Sequence, residues 1–179
     1  MNLVEKAREF AEFYHEGQLY NGKPYIEAHL DEVVKTVRIF TSDPVVLAIA
    51  YLHDILEDTS CLYAQLEPAF GKTIAKSVKL LTDGNGQTRY ERQLFTYSRL
   101  TKDENATLVK ICDRLTNMKA SYGTKHALTY VNEYERFEGT LFKEEHDLAL
   151  AWRFIRAEYV ALKNHMKNNP DTYIYLKDL

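Results

Sequence analysis

Cysteine is nearly missing from this chain. Cys61 and Cys112 are the only two in 179 residues, which rules out a disulfide framework and a thiolate metal site and makes the cytoplasm the expected compartment. Seven glycines and four prolines exclude collagen-like and low-complexity chains and leave few obligatory breaks in helices. No apolar run approaches the length that spans a bilayer. The charged start, Met1-Asn2-Leu3-Val4-Glu5-Lys6-Ala7-Arg8, lacks the apolar stretch and cleavage site of a secretory leader. Positive charge is not in excess either. A net charge of -3 argues against nucleic acid as a partner, while leaving room for a local basic pocket around a small phosphorylated ligand.

With 45% hydrophobic residues, the composition is that of an ordinary folded chain, and the length suits one domain over residues 1–179. Its periodicity is helical throughout. Val4, Ala7, Phe10, Phe13 and Tyr14 mark a first helix ending near Gly17, and Gln18 to Tyr25 reads as a loop turning at Asn21-Gly22. A second helix is expected over Ile26 to Phe40 with His29 facing inward. A third covers Val45 to Asp58, capped by Ser42 or Asp43 with Pro44 in its first turn. A short helical piece then runs to Phe70, breaks at Gly71 and resumes through Leu81; Thr82 to Gln87 is a loop. Tyr130 to Lys143 and Glu145 to Lys167 are expected helices, and the tail from Asn168, with Pro170, is expected to be a short extended or docked end.

The third helix carries the anomaly. In Ala50-Tyr51-Leu52-His53-Asp54-Ile55-Leu56-Glu57-Asp58-Thr59, one histidine and three carboxylates sit in apolar sequence. On a continuous helix, His53, Asp54, Glu57 and Asp58 project within roughly 140° of arc. Carboxylates gathered that closely repel one another unless a cation intervenes, and imidazole beside carboxylate is ordinary ligand chemistry for a divalent metal. A second anomaly lies in Ala106 to Met118, where Asp113 interrupts the stripe Leu108, Ile111, Cys112, Leu115 and Met118, with Asn117 one turn later on the same side.

Together, His29, His53-Asp54 and Asp113 give the order H…HD…D, which resembles the HD phosphohydrolase superfamily. More closely, the chain resembles the hydrolase domain of RelA/SpoT-type alarmone enzymes and the small stand-alone (p)ppGpp hydrolases. The likeness is carried by Gly22-Lys23-Pro24-Tyr25-Ile26-Glu27-Ala28-His29, by Leu52 to Thr59, by Phe70-Gly71 with Ala75 and Val78, and by Ile111 to Met118. Four such segments in order, over roughly residues 5 to 140, are far more specific than any one of them.

The resemblance implies an all-α, single-domain HD-type helical bundle with residues 141–179 as a C-terminal helical extension. It implies His29, His53, Asp54 and Asp113 as ligands of a divalent metal, Mn2+ in such enzymes, and Glu57 and Asp58 as the acidic pair handling the attacking water. It further implies contacts to a small phosphorylated nucleotide from Asn117, Tyr130, Arg89 and Arg92, and Tyr20 is a further candidate contact of this chain's own. The reaction expected from it removes the 3′-diphosphate of a guanosine alarmone as pyrophosphate. The chain departs from its relatives at Leu19-Tyr20-Asn21, where they commonly carry a basic pair, and at Leu30, where they commonly carry proline. Leucine and tyrosine offer packing and stacking where a guanidinium would pair with phosphate.

Each residue also has a bland reading. His29 alone reads as a core histidine, and only the company of His53-Asp54 reverses that. Glu57-Asp58 could be a solvated helix end, Asp113 could pair with Arg114 or Lys110, and Arg89 and Arg92 could be solvated charges. Tyr20, Tyr25 and Tyr130 could be packing, and His15, His126, His146 and His165 receive no role. Two other functions compete with alarmone hydrolysis. One is an HD-type nucleotide phosphatase acting on another substrate, such as a nucleoside monophosphate. The other is a nucleotide-binding module without turnover.

Overall fold

Asn2 caps the first helix, α1 (Leu3–Tyr14): its side-chain oxygen accepts the Val4 and Glu5 amides, and Glu5 returns to the Asn2 amide, each at 3.0 Å. The computed structural model describes residues 2–84, 86–144 and 146–174. In it α1 buries Ala7 and Ala11 and packs against α3 (Pro44–Leu52). Phe13, expected on the buried stripe, is instead 71% exposed, and the helix stops at Tyr14 with Gly17 at φ 78° beyond it.

The segment read as a loop is a two-stranded antiparallel hairpin, β1 (Leu19–Tyr20) and β2 (Lys23–Pro24), with Tyr20 opposite Lys23. Asn21 and Gly22 form its turn at φ 51° and 78°. This is the left-handed pair that a two-residue hairpin turn requires. The expected helix from Ile26 to Phe40 divides into a π-helical turn, Ile26–Leu30, and α2 (Asp31–Val37), ending three residues early. Within that wide turn His29 is 2% exposed, so the inward direction read from the sequence holds.

Asp43 caps α3 by accepting the Val45 amide at 2.8 Å, with Pro44 in the first turn. The helix expected from Val45 to Asp58 is not continuous. It breaks at His53-Asp54 and restarts as α4 (Ile55–Asp58). His53 Nδ1 lies 2.7 Å from the Ala50 carbonyl, competing for the acceptor that in a continuous helix takes the Asp54 amide. Asp54 then accepts the Glu57 and Asp58 amides at 3.1 and 2.9 Å, which starts the next turn.

The helix α5 (Tyr63–Leu81) breaks where expected, at Gly71 with φ 82° and ψ 161°. Thr88 caps α6 (Arg89–Leu100). The helix α7 (Glu104–Ala120) runs through the middle and packs on α2, α3, α5, α6 and two later elements: α8 (His126–Leu141), starting four residues before the expected Tyr130, and α9 (Ala149–Asn168). Fully buried Leu52, Ile111, Leu115, Phe137 and Trp152 knit these helices together, each large side chain contributing roughly 1.5–3 kcal/mol by leaving water. The chain closes with α10 (Pro170–Ile174), docked through Tyr173: its hydroxyl oxygen accepts the Gly123 amide at 2.9 Å. Asn85, Glu145 and residues 175–179, all within segments assigned above, lie outside the described residues. No helix among the described residues is long and apolar enough to cross a membrane. The architecture is all-α apart from the small hairpin.

Candidate metal centre

Three separate elements aim ligand-type side chains at one buried point. The π-helical turn supplies His29, the break between α3 and α4 supplies His53 and Asp54, and the middle of α7 supplies Asp113. His53 Nε2 lies 3.0 Å from Asp54 Oδ2 and 3.7 Å from Asp113 Oδ1, while His29 Nε2 lies 3.3 and 3.5 Å from the same two oxygens. His29, His53 and Asp113 are all buried, with ligand atoms within 4.8 Å of one another.

The donor set fits a divalent cation, on the evidence of an orphaned atom. Nδ1 of His53 faces a carbonyl, which can only accept, so in the neutral ring the proton is on Nδ1 and Nε2 presents a lone pair. That buried Nε2 has no hydrogen-bond partner, although Asp54 Oδ2 is at ion-pair distance. Lone pairs facing lone pairs repel unless a proton or a metal stands between them. The electrostatics agree. Burial alone would lower the His53 pKa, yet Asp54 and Asp113 push it up to about 10. Burial would raise Asp54 and Asp113, yet the histidines, with Lys110 acting on Asp113, hold both below the ordinary carboxylate range.

Two polar side chains fix Asp113. Lys110 Nζ donates to Oδ2 at 3.1 Å and Asn117 Nδ2 donates to Oδ1 at 2.6 Å. Burial would lower the Lys110 pKa, but Asp113 raises it, so this lysine stays charged. Tyr20 closes the other side: its hydroxyl donates to Asn117 Oδ1 at 2.8 Å, and its ring stacks on His29 at 5.0 Å and 24°.

Beside the cluster lies a cavity of about 170 Å³. It is lined by four carboxylates, Asp54, Glu57, Asp83 and Asp113, and by three cationic side chains, Arg89, Lys110 and Arg114, together with Asn117 and Tyr130. Glu57 accepts the Asp83 amide at 2.9 Å, and burial raises its pKa despite that bond. Asn117 and Tyr130 also line an adjoining cavity of about 120 Å³ together with Tyr20, Asn21, Ser121 and Thr124. Arg114, only 4% exposed, lies under the Tyr130 ring at 4.9 Å and donates to Glu133 at 2.9 Å; Arg89 donates to the same carboxylate at 2.8 Å.

Of the residues singled out from sequence, Asp54, Asp113, Glu57, Asn117, Tyr20, Tyr130 and Arg89 line one pair of adjoining cavities, and His29 and His53 lie 3.0 to 3.7 Å from Asp54 and Asp113. Arg92 is not among the lining residues; it pairs with Asp83 at 3.4 Å. Asp58 points away from Glu57, toward Gln18 and the Tyr25 hydroxyl, each at 3.4 Å. Burial and the nearby Asp54 raise its pKa. Sequence reading missed Lys110 and Arg114 as parts of the site. A signal existed: a lysine one turn before Asp113 on the same helix, and an arginine next to it within an apolar stretch.

Comparison with known proteins supplies the family. The HD domain description matches residues 7–136, well over half of the chain. The chain belongs to the HD domain family. Among curated HD relatives, a guanosine-3′,5′-bis(diphosphate) 3′-pyrophosphohydrolase of Aquifex aeolicus is 34% identical over 122 residues, 65% of this chain and 17% of that protein. The pyrophosphohydrolase MESH1 of Danio rerio is 32% identical over 104 residues, 55% of this chain and 56% of that one. Escherichia coli SpoT, a bifunctional (p)ppGpp synthase/hydrolase, is 32% identical over 113 residues, 59% of this chain and 16% of that one. The chain thus matches less than two thirds of each of these relatives. A solved structure of a metazoan ortholog of SpoT that hydrolyzes ppGpp has the same fold, with a TM-score of 0.73 at 22% identity, covering 88% of this chain and 96% of that one.

Proposed function

We propose that this HD protein is a metal-dependent phosphohydrolase that removes the 3′-diphosphate of a guanosine alarmone as pyrophosphate. The observation that carries the proposal is the cluster of His29, His53, Asp54 and Asp113 beside a cavity that Arg89, Lys110 and Arg114 also line. Its relatives over the matched segment carry the same activity in their names. In this reading those four residues hold one divalent cation, Mn2+ by family resemblance. When bound, such an ion supplies Lewis-acid activation of water and of a phosphoryl oxygen at neutral pH.

The chain's own residues do the rest. Glu57, in the cavity wall beside Asp54, accepts the proton of the attacking water, and burial keeps its basicity above that of a solvated glutamate. Lys110, Arg89 and Arg114 meet the negative charge of the diphosphate as it leaves. Asn117 stands between the two cavities and orients the ribose, while Tyr20 and Tyr130 flank the smaller one, where the base fits between ring faces. Asp58 acts from behind the cluster, and Arg92 from the rim. Residues 1–179 act as one working unit in the cytoplasm, with α9 bracing α7.

A nucleotide panel tests this reading. Chelator-treated protein is supplied with Mn2+ and offered ppGpp, GDP, ADP and nucleoside monophosphates, and the products are separated. Pyrophosphate from ppGpp supports the proposal. Orthophosphate from a monophosphate replaces it with the other HD phosphatase reading, to which the missing basic pair at Leu19-Tyr20 lends weight. Binding without product identifies a nucleotide-binding module.

A further inference from the structure

Tyr25 lies behind the cluster, outside both cavities of the site, and its ring is 7% exposed. Its hydroxyl donates to Asp54 Oδ2 at 2.6 Å and stands 3.4 Å from Asp58 Oδ2. One O–H thus lies between two carboxylates that would otherwise confront each other directly. If the position served packing alone, phenylalanine would fill it without bringing a polar atom into the interior that needs a partner.

The groups around Tyr25 are ordered as if to hold that hydroxyl. The His15 ring, 3% exposed, stacks on the Tyr25 ring at 4.8 Å and 17°. Gln18 lies 3.4 Å from Asp58 Oδ2 and 2.6 Å from His15 Nδ1. A carboxylate only accepts, so the Gln18 amide turns its NH2 to Asp58 and its carbonyl to His15, which places the His15 proton on Nδ1. The backbone closes the unit: Gln18 N–H donates to the His15 carbonyl and Tyr25 N–H to the Gln18 carbonyl, both at 3.0 Å. The end of α1, the hairpin and the π-helical turn are thereby tied to Asp54 and Asp58 by side chains from three different segments.

We propose that Tyr25, His15 and Gln18 are positioning residues: Tyr25 aligns Asp54 as a ligand, and the His15–Gln18 pair aligns Asp58. The inference rests on the metal reading above and deepens it by assigning the support behind the cluster. Partners that orient ligands typically change metal affinity or activity by roughly ten- to a hundred-fold when removed.

The test is equilibrium titration of Mn2+ into chelator-treated wild type, Tyr25→Phe and Gln18→Ala, with steady-state kinetics on ppGpp and thermal melting of the metal-free proteins. Tyr25→Phe keeps the ring on His15 and deletes only the hydroxyl. It is expected to weaken Mn2+ binding by roughly ten- to a hundred-fold, while the metal-free protein still melts cooperatively, destabilised by no more than the loss of one buried hydrogen bond, about 1–3 kcal/mol. Gln18→Ala is expected to leave Mn2+ affinity and KM as in wild type and to lower kcat; in an Asp58→Asn background it adds nothing, because its effect passes through Asp58. A wild-type Mn2+ Kd in Tyr25→Phe overturns the assignment of Tyr25. A Gln18→Ala loss that multiplies undiminished onto Asp58→Asn overturns that of the His15–Gln18 pair. Failure of wild type to bind Mn2+ at all is a different result, which removes the metal reading itself.

Discussion

Glu133→Gln is a perturbation whose size follows from the geometry. The Glu133 carboxylate, 12% exposed, accepts from Arg89 at 2.8 Å, Gln93 at 2.9 Å and Arg114 at 2.9 Å. Burial alone would raise its pKa from the ordinary 4.5, but those hydrogen bonds and the two guanidinium charges hold it at about 2. A folded pKa below the unfolded one stabilises the fold above the unfolded pKa, and that contribution is lost as pH falls from 4.5 to about 2. At about 1.36 kcal/mol per pH unit the displacement is worth about 3 kcal/mol. The other carboxylates titrate in both proteins, so the wild-type minus variant difference isolates this one. Urea unfolding at a series of pH values is expected to show that difference constant above pH 5 and shrinking by about 3 kcal/mol by pH 2. Parallel acid limbs would refute the reasoning and mean that Glu133 is solvated and its arginines are elsewhere.

Four further outcomes follow. Glu57→Gln keeps Mn2+ and lowers kcat by roughly a hundred- to ten-thousand-fold; a matching loss of metal in equilibrium dialysis would make Glu57 a ligand instead. Gly71→Ala meets no neighbouring atom but must hold φ near 82° with ψ near 161°, so it destabilises by about 1–3 kcal/mol through backbone strain alone, read as a lower urea midpoint. Phe137→Ala, at a fully buried ring packed on Trp152 and Tyr97, costs about 3–5 kcal/mol in the same assay. Tyr20→Phe frees Asn117 while keeping the stack on His29, and steady-state kinetics are expected to show KM raised with the metal Kd unchanged.

Residue chemistry made much of the site legible in advance. His29, His53, Asp54 and Asp113 stood out because each puts a polar group on an apolar face, and a buried helix tolerates that only with a partner. Local competition for hydrogen bonds was harder to read. The break at His53-Asp54 depends on a side chain capturing the Ala50 carbonyl, and helical periodicity does not register such an event. The division between Glu57 and Asp58 follows from that break, because the single turn of α4 sends adjacent carboxylates to opposite sides of the cluster. Gly71 and Asn21-Gly22 were legible as breaks since the backbone there needs left-handed φ. The roles of Tyr25 and His15 depend on contacts between segments far apart in sequence, to which local pattern is blind, whereas Lys110, one turn from Asp113, and Arg114, next to it, were within reach of local pattern.

The central claim is that His29, His53, Asp54 and Asp113 form one cation site. Titration of Mn2+ into chelator-treated protein, followed by the paramagnetic signal of the free ion, measures it directly. The account predicts one tight equivalent per chain in wild type and its loss in His53→Ala and in Asp113→Ala. Absence of saturable binding in wild type, or an undiminished equivalent in both variants, would contradict it.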